Sequence, residues 1–416
     1  MNKGSYVFSQ MVKALDEFVF LRIVKKYDGD KYVKHFSCWN QLLTLMFGQL
    51  TGKESLRRFI VASTPFKNKF YGLGLGKNVT RSNLSKANNS RDYRIFEEFA
   101  NHMVRVAQKK RIKDIFKLHG KVYAFDSTTI DLCLSVYDWA HFRRAKGGIK
   151  VHTLFDLEAQ VPTIFHITKA KVNDVNGMDV IPYEPNAFYV FDRGYNDFRR
   201  LFHINELGSF FVVRAKKTLK YQHVRWKRRM KKNVLSDSII RLTIYKSSHD
   251  YPAVLRRIEY FDEEQNRIFV YLTNALSLDA LDVANLYKNR WQIELFFKWM
   301  KQHLNIQKFW GETENAVRIQ IYAAITAYCM VAIVQHDIGT ELSIFEVLET
   351  VSLVLAERIP LTDLLCNTNF KNVNELTGFC EPTLNSNHRE VNRQYYPTEQ
   401  LRQSNAIKKN DSTHKA

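Results

Sequence analysis

Apolar residues recur at helical spacing in four stretches of the first 115 residues, 7–24, 39–50, 56–61 and 93–106, where strand signals are few. This part is predicted to be helical. At Lys121 the period changes. Val122-Tyr-Ala-Phe125 and Phe188-Tyr-Val-Phe191 are short apolar runs, each followed by an acid, Asp126 and Asp192. Between them Ile149, Val151, Thr153 and Phe155 alternate with Lys150, His152 and Asp156, and residues 161–168 follow a short turn, which predicts a hairpin. Residues 210–214 add a further strand. Strands of this kind followed by helices predict a mixed α/β sheet that presents carboxylates at strand ends. Strand patterns at 239–245, 254–260 and 267–273 predict a β-rich insertion, after which Ser277 is placed to cap a helix. Helical patterns return beyond 307, and from 381 the chain is polar and poor in aliphatics, the composition of a disordered tail. The boundaries follow: a helical region over 1–115, a core over 116–215 and 278–345, an insertion over 216–277, a helical region over 346–380 and a tail over 381–416.

The helix after the insertion carries an unusual stripe. At about 100° per residue, Tyr287, Arg290, Glu294 and Lys301 fall within roughly 60° of its circumference. Trp291, Ile293, Phe296, Phe297, Trp299 and Met300 crowd both sides. One acid able to hold a metal ion thus stands among three groups that bind phosphate oxygens, a set suited to metal-assisted phosphodiester chemistry. A solvated face with Arg290–Glu294 and Glu294–Lys298 pairs at i,i+4 is the alternative. Asp126, Asp192 and Glu294 are the acids that buried elements could present together, a hard-oxygen set for Mg²⁺ or Mn²⁺. Asp131, Asp156, Asp174 and Asp197 compete for these roles, and Lys150 and His152 share one face of their strand.

Charge narrows the partner. The formal net charge is +20, which favours a polyanion, with nucleic acid as the first candidate. Residues 216–233 hold nine Lys or Arg and no acid, with Tyr221 and Trp226 interleaved, so Arg225, Trp226, Lys227 and Arg228 are candidate DNA contacts. A helix from residue 54, then a loop, then Thr80-Arg-Ser-Asn-Leu-Ser-Lys86 is compatible with a helix-turn-helix, although the loop is long. Gly72-Leu-Gly74-Leu-Gly76 follows no strand and is expected to be a flexible connector. Five scattered cysteines indicate neither a disulfide framework nor a zinc knuckle. The uncharged stretch 319–335 is expected to be a core helix rather than a membrane span. With no signal-peptide or lipidation pattern, the expected location is the cytosol.

Tyr287-x2-Arg290-x3-Glu294-x6-Lys301 resembles, in every spacing, the signature around the third acid of the transposases of insertion-sequence family four, within the aspartate-aspartate-glutamate (DDE) class. Phe125-Asp126-Ser127-Thr128 and Phe191-Asp192-Arg193-Gly194-Tyr195 resemble that family's two aspartate motifs. Ser5-Tyr-Val-Phe-Ser-Gln10 is similar to the start of a helical module found in one branch of it. The resemblance spans roughly residues 120–310. It implies a ribonuclease H-like mixed-sheet core with an inserted β-rich subdomain, a helical N-terminal DNA-binding region and a helical C-terminal region. It further implies that Asp126, Asp192 and Glu294 hold two Mg²⁺ ions, replaceable by Mn²⁺, for cleavage of terminal inverted repeats and strand transfer into target DNA. Tyr287, Arg290 and Lys301 would position the terminal phosphate. A homodimeric synaptic complex on double-stranded DNA, in the bacterial cytoplasm at the nucleoid, follows from the same resemblance. A nuclease or resolvase that cuts without joining, and a catalytically idle DNA-binding regulator, are the alternatives.

Overall fold

The computed structural model describes residues 4–53, 55–76, 79–111, 115–132, 137–143, 146–226, 231–302 and 309–366. The first apolar stretch divides into α1 (Val7–Val12) and α2 (Glu17–Lys26), where Asp16 caps α2 by accepting the Val19 N–H at 3.0 Å. Ser37, Ser55 and Thr80 cap α3 (Cys38–Leu50), α4 (Leu56–Ser63) and α5 (Arg81–Ser90) in the same way, and α6 (Arg94–Arg111) follows. The glycine-rich connector before α5 is not the flexible link its composition suggests. Leu73 and Leu75 are buried, and Gly74 and Gly76 hold φ values of +80° and +81°, which glycine adopts without strain.

Ten strands form one sheet: β1 (Val122–Leu132), β2 (His141–Arg143), β3 (Lys146–Asp156), β4 (Val161–Lys169), β5 (Phe188–Phe191), β6 (Phe210–Arg214), β7 (Tyr221–Trp226), β8 (Val234–Leu242), β9 (Leu255–Asp262) and β10 (Arg267–Thr273). Helices α7 (Phe198–Glu206), α8 (Tyr245–Asp250), α9 (Ala280–Asn289), α10 (Trp291–Gln302), α11 (Glu314–Ile338), α12 (Ile344–Val354) and α13 (Leu361–Cys366) complete the described chain. The strands β1, β3 and β4 make an antiparallel meander, and β5 and β6 add parallel to β1. The order β4-β3-β1-β5-β6 is the expected ribonuclease H-like arrangement. The insertion is built onto this sheet, because β10 pairs antiparallel with β6 and β9, β8 and β7 follow outward.

Alternation along the strands gives the sheet two buried faces. Val122, Ala124, Val190 and Val212 belong to one core, which is continuous with the N-terminal helices, while Tyr123, Phe125, Phe191 and Val213 join Leu201 and Ile204 of α7 in the other. The expected core helix is α11, fully buried over most of its length. It joins the helical region to the sheet by contacts with α3, α5 and α6 on one side and β4 on another. Gly48 of α3 lets the indole of Trp310 approach: a Cβ there would lie 2.0 Å from a ring carbon.

Three expectations about the elements are corrected. β1 does not end near Asp126, since β3 pairs with it as far as Leu132. The helix carrying the stripe is broken at Arg290 into α9 and α10, with Arg290 and Ile293 bonding back three residues in a tighter turn. Its cap is Asp279, which accepts the Leu281 N–H at 2.9 Å and pairs with Lys231 at 2.6 Å, so Ser277 lies outside the helix start. The expected tail over 381–416, and the end of the 346–380 region beyond 366, lie outside the described residues.

Candidate active site

Three adjacent parallel strands end their pairing at one level. Phe125 is opposite Phe191, and Phe191 is opposite Val213, so the next residues in register are Asp126, Asp192 and Arg214. A common side-chain parity turns all three toward the face covered by α9 and α10, which pack on β5, β6 and β1.

Those helices bring the stripe onto the strand ends. Arg290 donates from Nη1 to Asp126 Oδ2 at 3.1 Å and from Nη2 to Glu294 Oε1. Tyr287 donates its hydroxyl to Asp192 Oδ1 at 3.3 Å, and the Arg290 guanidinium lies 5.7 Å from the Tyr287 ring centre. All three acids are thereby tied to the signature residues. Lys301 and Lys298 line one pocket with Asp126, Ser127 and Glu294. Lys298, exposed on α10 and outside the signature, faces the same opening. Trp291, expected to help bury the helix, is 44% exposed and lines the neighbouring cleft with Asp192, Arg214, Arg290 and Glu294.

The electrostatics follow from burial. The Asp126 carboxyl is pushed up to about 6, first by burial and further by Asp192 and Glu294, against the pull of Arg290 and the Ser127 N–H, which reaches Oδ1 at 2.8 Å. Burial opposes the charge on Arg290, yet Tyr287, Asp126 and Glu294 hold its pKa above the ordinary value. Burial lowers that of Lys301, with Asp131 opposing.

A supporting chain runs behind Asp126. Ser127 donates its hydroxyl to Asp174, which pairs with the buried Lys150 at 2.8 Å, while Lys150 also donates to Val172 O at 2.7 Å. His152 faces Thr168 at 3.1 Å and lies outside this chain. Asp131 and Asp197 are not joined to the three acids: Asp197 caps α7, and Asp156 orders the β3–β4 turn through the Glu158 and Ala159 N–H groups.

Sequence reasoning missed Arg214 and Arg267. The two guanidiniums lie 4.9 and 5.4 Å from the ring centre of Phe269 and line the cleft beside Asp192. Arg214 had a readable signal, since Phe210-Phe-Val-Val-Arg214 repeats the pattern of four apolar residues and a charge seen before Asp126 and Asp192. Arg225 and Trp226 are on the exposed edge strand β7, four strands from β6 and so roughly 19 Å away at the usual spacing. Trp226 stacks there on His223 with ring centres 4.0 Å apart. Lys227 and Arg228 lie outside the described residues.

By donor type the three carboxylates, with a partly buried Asp126 among them, suit a hard divalent cation. Among the described residues no three acidic, His or Cys side chains stand at metal-ligand spacing, and the Arg290 guanidinium bridges Asp126 and Glu294.

Comparison with known proteins finds family models and relatives over the same part of the chain. A family model described as a transposase DDE domain matches residues 117–330, and one described as a domain of unknown function (DUF4372) matches residues 3–76. A protein of Sinorhizobium fredii named as a transposase is 38% identical over 214 residues, 50% of this chain and 59% of its own length. One of Geobacillus stearothermophilus, named for the insertion sequence element IS5377, is 28% identical over 207 residues, 49% of this chain and 54% of its own. One of Synechocystis, named for the element IS4SA, is 25% identical over 292 residues, 67% of this chain and 80% of its own. The chain thus spans little more than half the length of the first two.

Proposed function

We propose, since the chain belongs to the transposase DDE domain family, that it is a DNA transposase: it binds the terminal inverted repeats of its own element, cuts the strands there and joins the freed ends to target DNA. The observation that carries this reading is that Tyr287 and Arg290 of the signature tie Asp192 of the sheet, Asp126 of the sheet and Glu294 of α10 into one hydrogen-bonded group. The family depends on divalent metal ions, and here Mg²⁺, with Mn²⁺ as substitute, is the proposed cofactor, held by Asp126, Asp192 and Glu294. Bound there, the ions supply a more acidic water or hydroxyl and neutralise charge on the entering and leaving oxygens.

The side chains contribute the rest. Tyr287, Arg290 and Lys301 bind the phosphate at the transposon end and fix it for in-line displacement; Arg290 still has Nε without a partner among the described residues. Partners proposed on the same basis are the two transposon ends, a target duplex and a second copy of the chain in the synaptic complex, with the bacterial cytoplasm as the site of action. The test is Mg²⁺-dependent cleavage of end DNA followed by joining. Cleavage with no joined product under any divalent-ion condition would replace this reading with a nuclease.

Two results are expected at this site. Arg290→Ala and Lys301→Ala lower end cleavage by about 10²-fold, the usual cost of one preorganised charge contact, and leave overall DNA affinity within about threefold because the net charge of +20 is spread over the chain. Parallel gel-shift and cleavage assays check this, and an equal loss in both would refute the division of labour. The second concerns pH. Asp126 must lose its proton to bind a cation, so apparent Mn²⁺ affinity rises about tenfold per unit up to about pH 6 and levels off above it. Calorimetric titration from pH 5 to 8 checks the profile, and an affinity flat across that range is the contrary result.

A further inference from the structure

The basic residues of the chain are unevenly placed. Residues 53–91 hold nine Lys and Arg against one acid, Glu54, and lie in the helical region rather than at the three carboxylates. Within them, α5 turns Leu84, Ala87 and Asn88 inward and leaves Arg81, Ser82, Lys86 and Asn89 exposed, with Asn83 and Ser85 half-buried between. The helix has no acid. Its inner face is fixed by polar bonds: Gln41 donates to Asn88 Oδ1 at 2.7 Å, and Asn315 of α11 donates to the Asn88 and Arg91 carbonyls at 2.8 and 2.7 Å. Arg91 extends the same network to the loop before α3 through the Ser37 carbonyl at 3.0 Å, the Phe36 carbonyl and Asp30 at 3.6 Å.

That loop stands across a groove of about 580 Å³ from α5, with Lys31, Lys34 and His35 on one wall and Asn83 and Lys86 on the other. Lys31, Tyr32, Lys34 and His35 are all exposed. The acids at the groove are Asp28 and Asp92, and Asp92 is paired with Arg94 at 2.5 Å. An outward helix bearing Arg, Lys, Asn and Ser matches the donor and acceptor code of a major groove about 12 Å wide, and a rigidly attached basic loop matches the flanking phosphates.

We propose that α5 enters the major groove of duplex DNA and reads its sequence, with residues 31–35 clamping the adjacent backbone. This surface selects the DNA that the carboxylates act on. It rests on the strand-cutting reading for the identity of that DNA, and on its own residues for the contact.

The full-length protein is tested on a random duplex library, with bound duplexes sequenced and the enriched duplex used for affinity, salt dependence and Mg²⁺-dependent cleavage. The wild type is expected to enrich a motif. Arg81→Ala/Lys86→Ala lowers affinity for the enriched duplex by about tenfold or more and for a scrambled duplex by less. Lys31→Ala/Lys34→Ala weakens both duplexes alike and reduces the slope of log affinity against log salt by about two. All four side chains are exposed, so thermal transitions stay at the wild-type value. No enriched motif, or an Arg81→Ala/Lys86→Ala protein with the wild-type motif and affinity, overturns the proposal. Enrichment that depends on α5, without any cleavage, upholds this surface and overturns the strand-cutting reading instead.

Discussion

Asp126→Asn and Glu294→Gln are each expected to lower Mg²⁺-dependent cleavage of end DNA by about 10³-fold or more. Either change is nearly isosteric and keeps an oxygen able to accept from Arg290, so the hydrogen-bonded frame around the site survives. What disappears is one negative charge of three. Metal stabilisation of a developing oxyanion amounts to several kcal/mol, and each ~1.4 kcal/mol is a factor of ten in rate. A loss of this order therefore follows from weakened or misplaced metal alone. DNA affinity stays near wild type, because removing one carboxylate from a chain of net charge +20 does not reduce its attraction for phosphate. Single-turnover cleavage and gel shift on the same preparations measure the two quantities. Cleavage within about threefold of wild type for either variant would remove that residue from the proposed metal site.

The second large effect is on stability. Arg256→Met is expected to cost about 3–5 kcal/mol, the penalty for leaving a buried charge without its partner. Arg256 is 1% exposed and makes a two-pronged pair with Asp237, at 2.8 and 2.7 Å, across β8 and β9. It also donates to the carbonyls of Ala275 and Leu278, in the segment that leads into α9. Asp237, itself 3% exposed, would remain in the core with no cation. Adding Asp237→Leu should recover most of the loss, since an apolar pair of similar volume replaces the ions at little net cost. Urea unfolding of the single and double variants distinguishes this from simple loss of packing: a double variant as unstable as the sum of both singles would show that the pair is not the cause.

The local chemistry of the site was legible and its long-range assembly was not. Helix geometry alone placed Tyr287, Arg290 and Glu294 on one stripe, and the apolar runs before Asp126 and Asp192 marked where strands deliver carboxylates. No Gly or Pro marks the turn at Arg290, so the division into α9 and α10 has no local signal. Ser277 and Asp279 are both good caps by residue type, and it is the distant Lys231 that pairs with Asp279. Arg214 ends a run of the same form but carries the opposite charge, so a pattern of acids does not include it. Asp174 joins Ser127 and Lys150 only after β3 has paired with β1 and β4 with β3, a contact across dozens of residues that no periodicity encodes. The single sheet was hidden for the same reason, since strand patterns do not reveal that β10 will pair with β6.

The shared level of Asp126, Asp192 and Arg214 makes the chain tolerant of change in kind and intolerant of change in length. The residues before them pack through size and apolarity, so Val, Ile, Leu and Phe can replace one another at moderate cost. A one-residue deletion within Phe188–Phe191 is different. If the remaining pairs with β1 and β6 were kept, Asp192 would move to the opposite face of the sheet, among Phe125, Tyr195 and Leu201. Insertions and deletions in these three short runs should therefore be far rarer among functional homologues than substitutions, whereas the turns between the runs are free to vary in length.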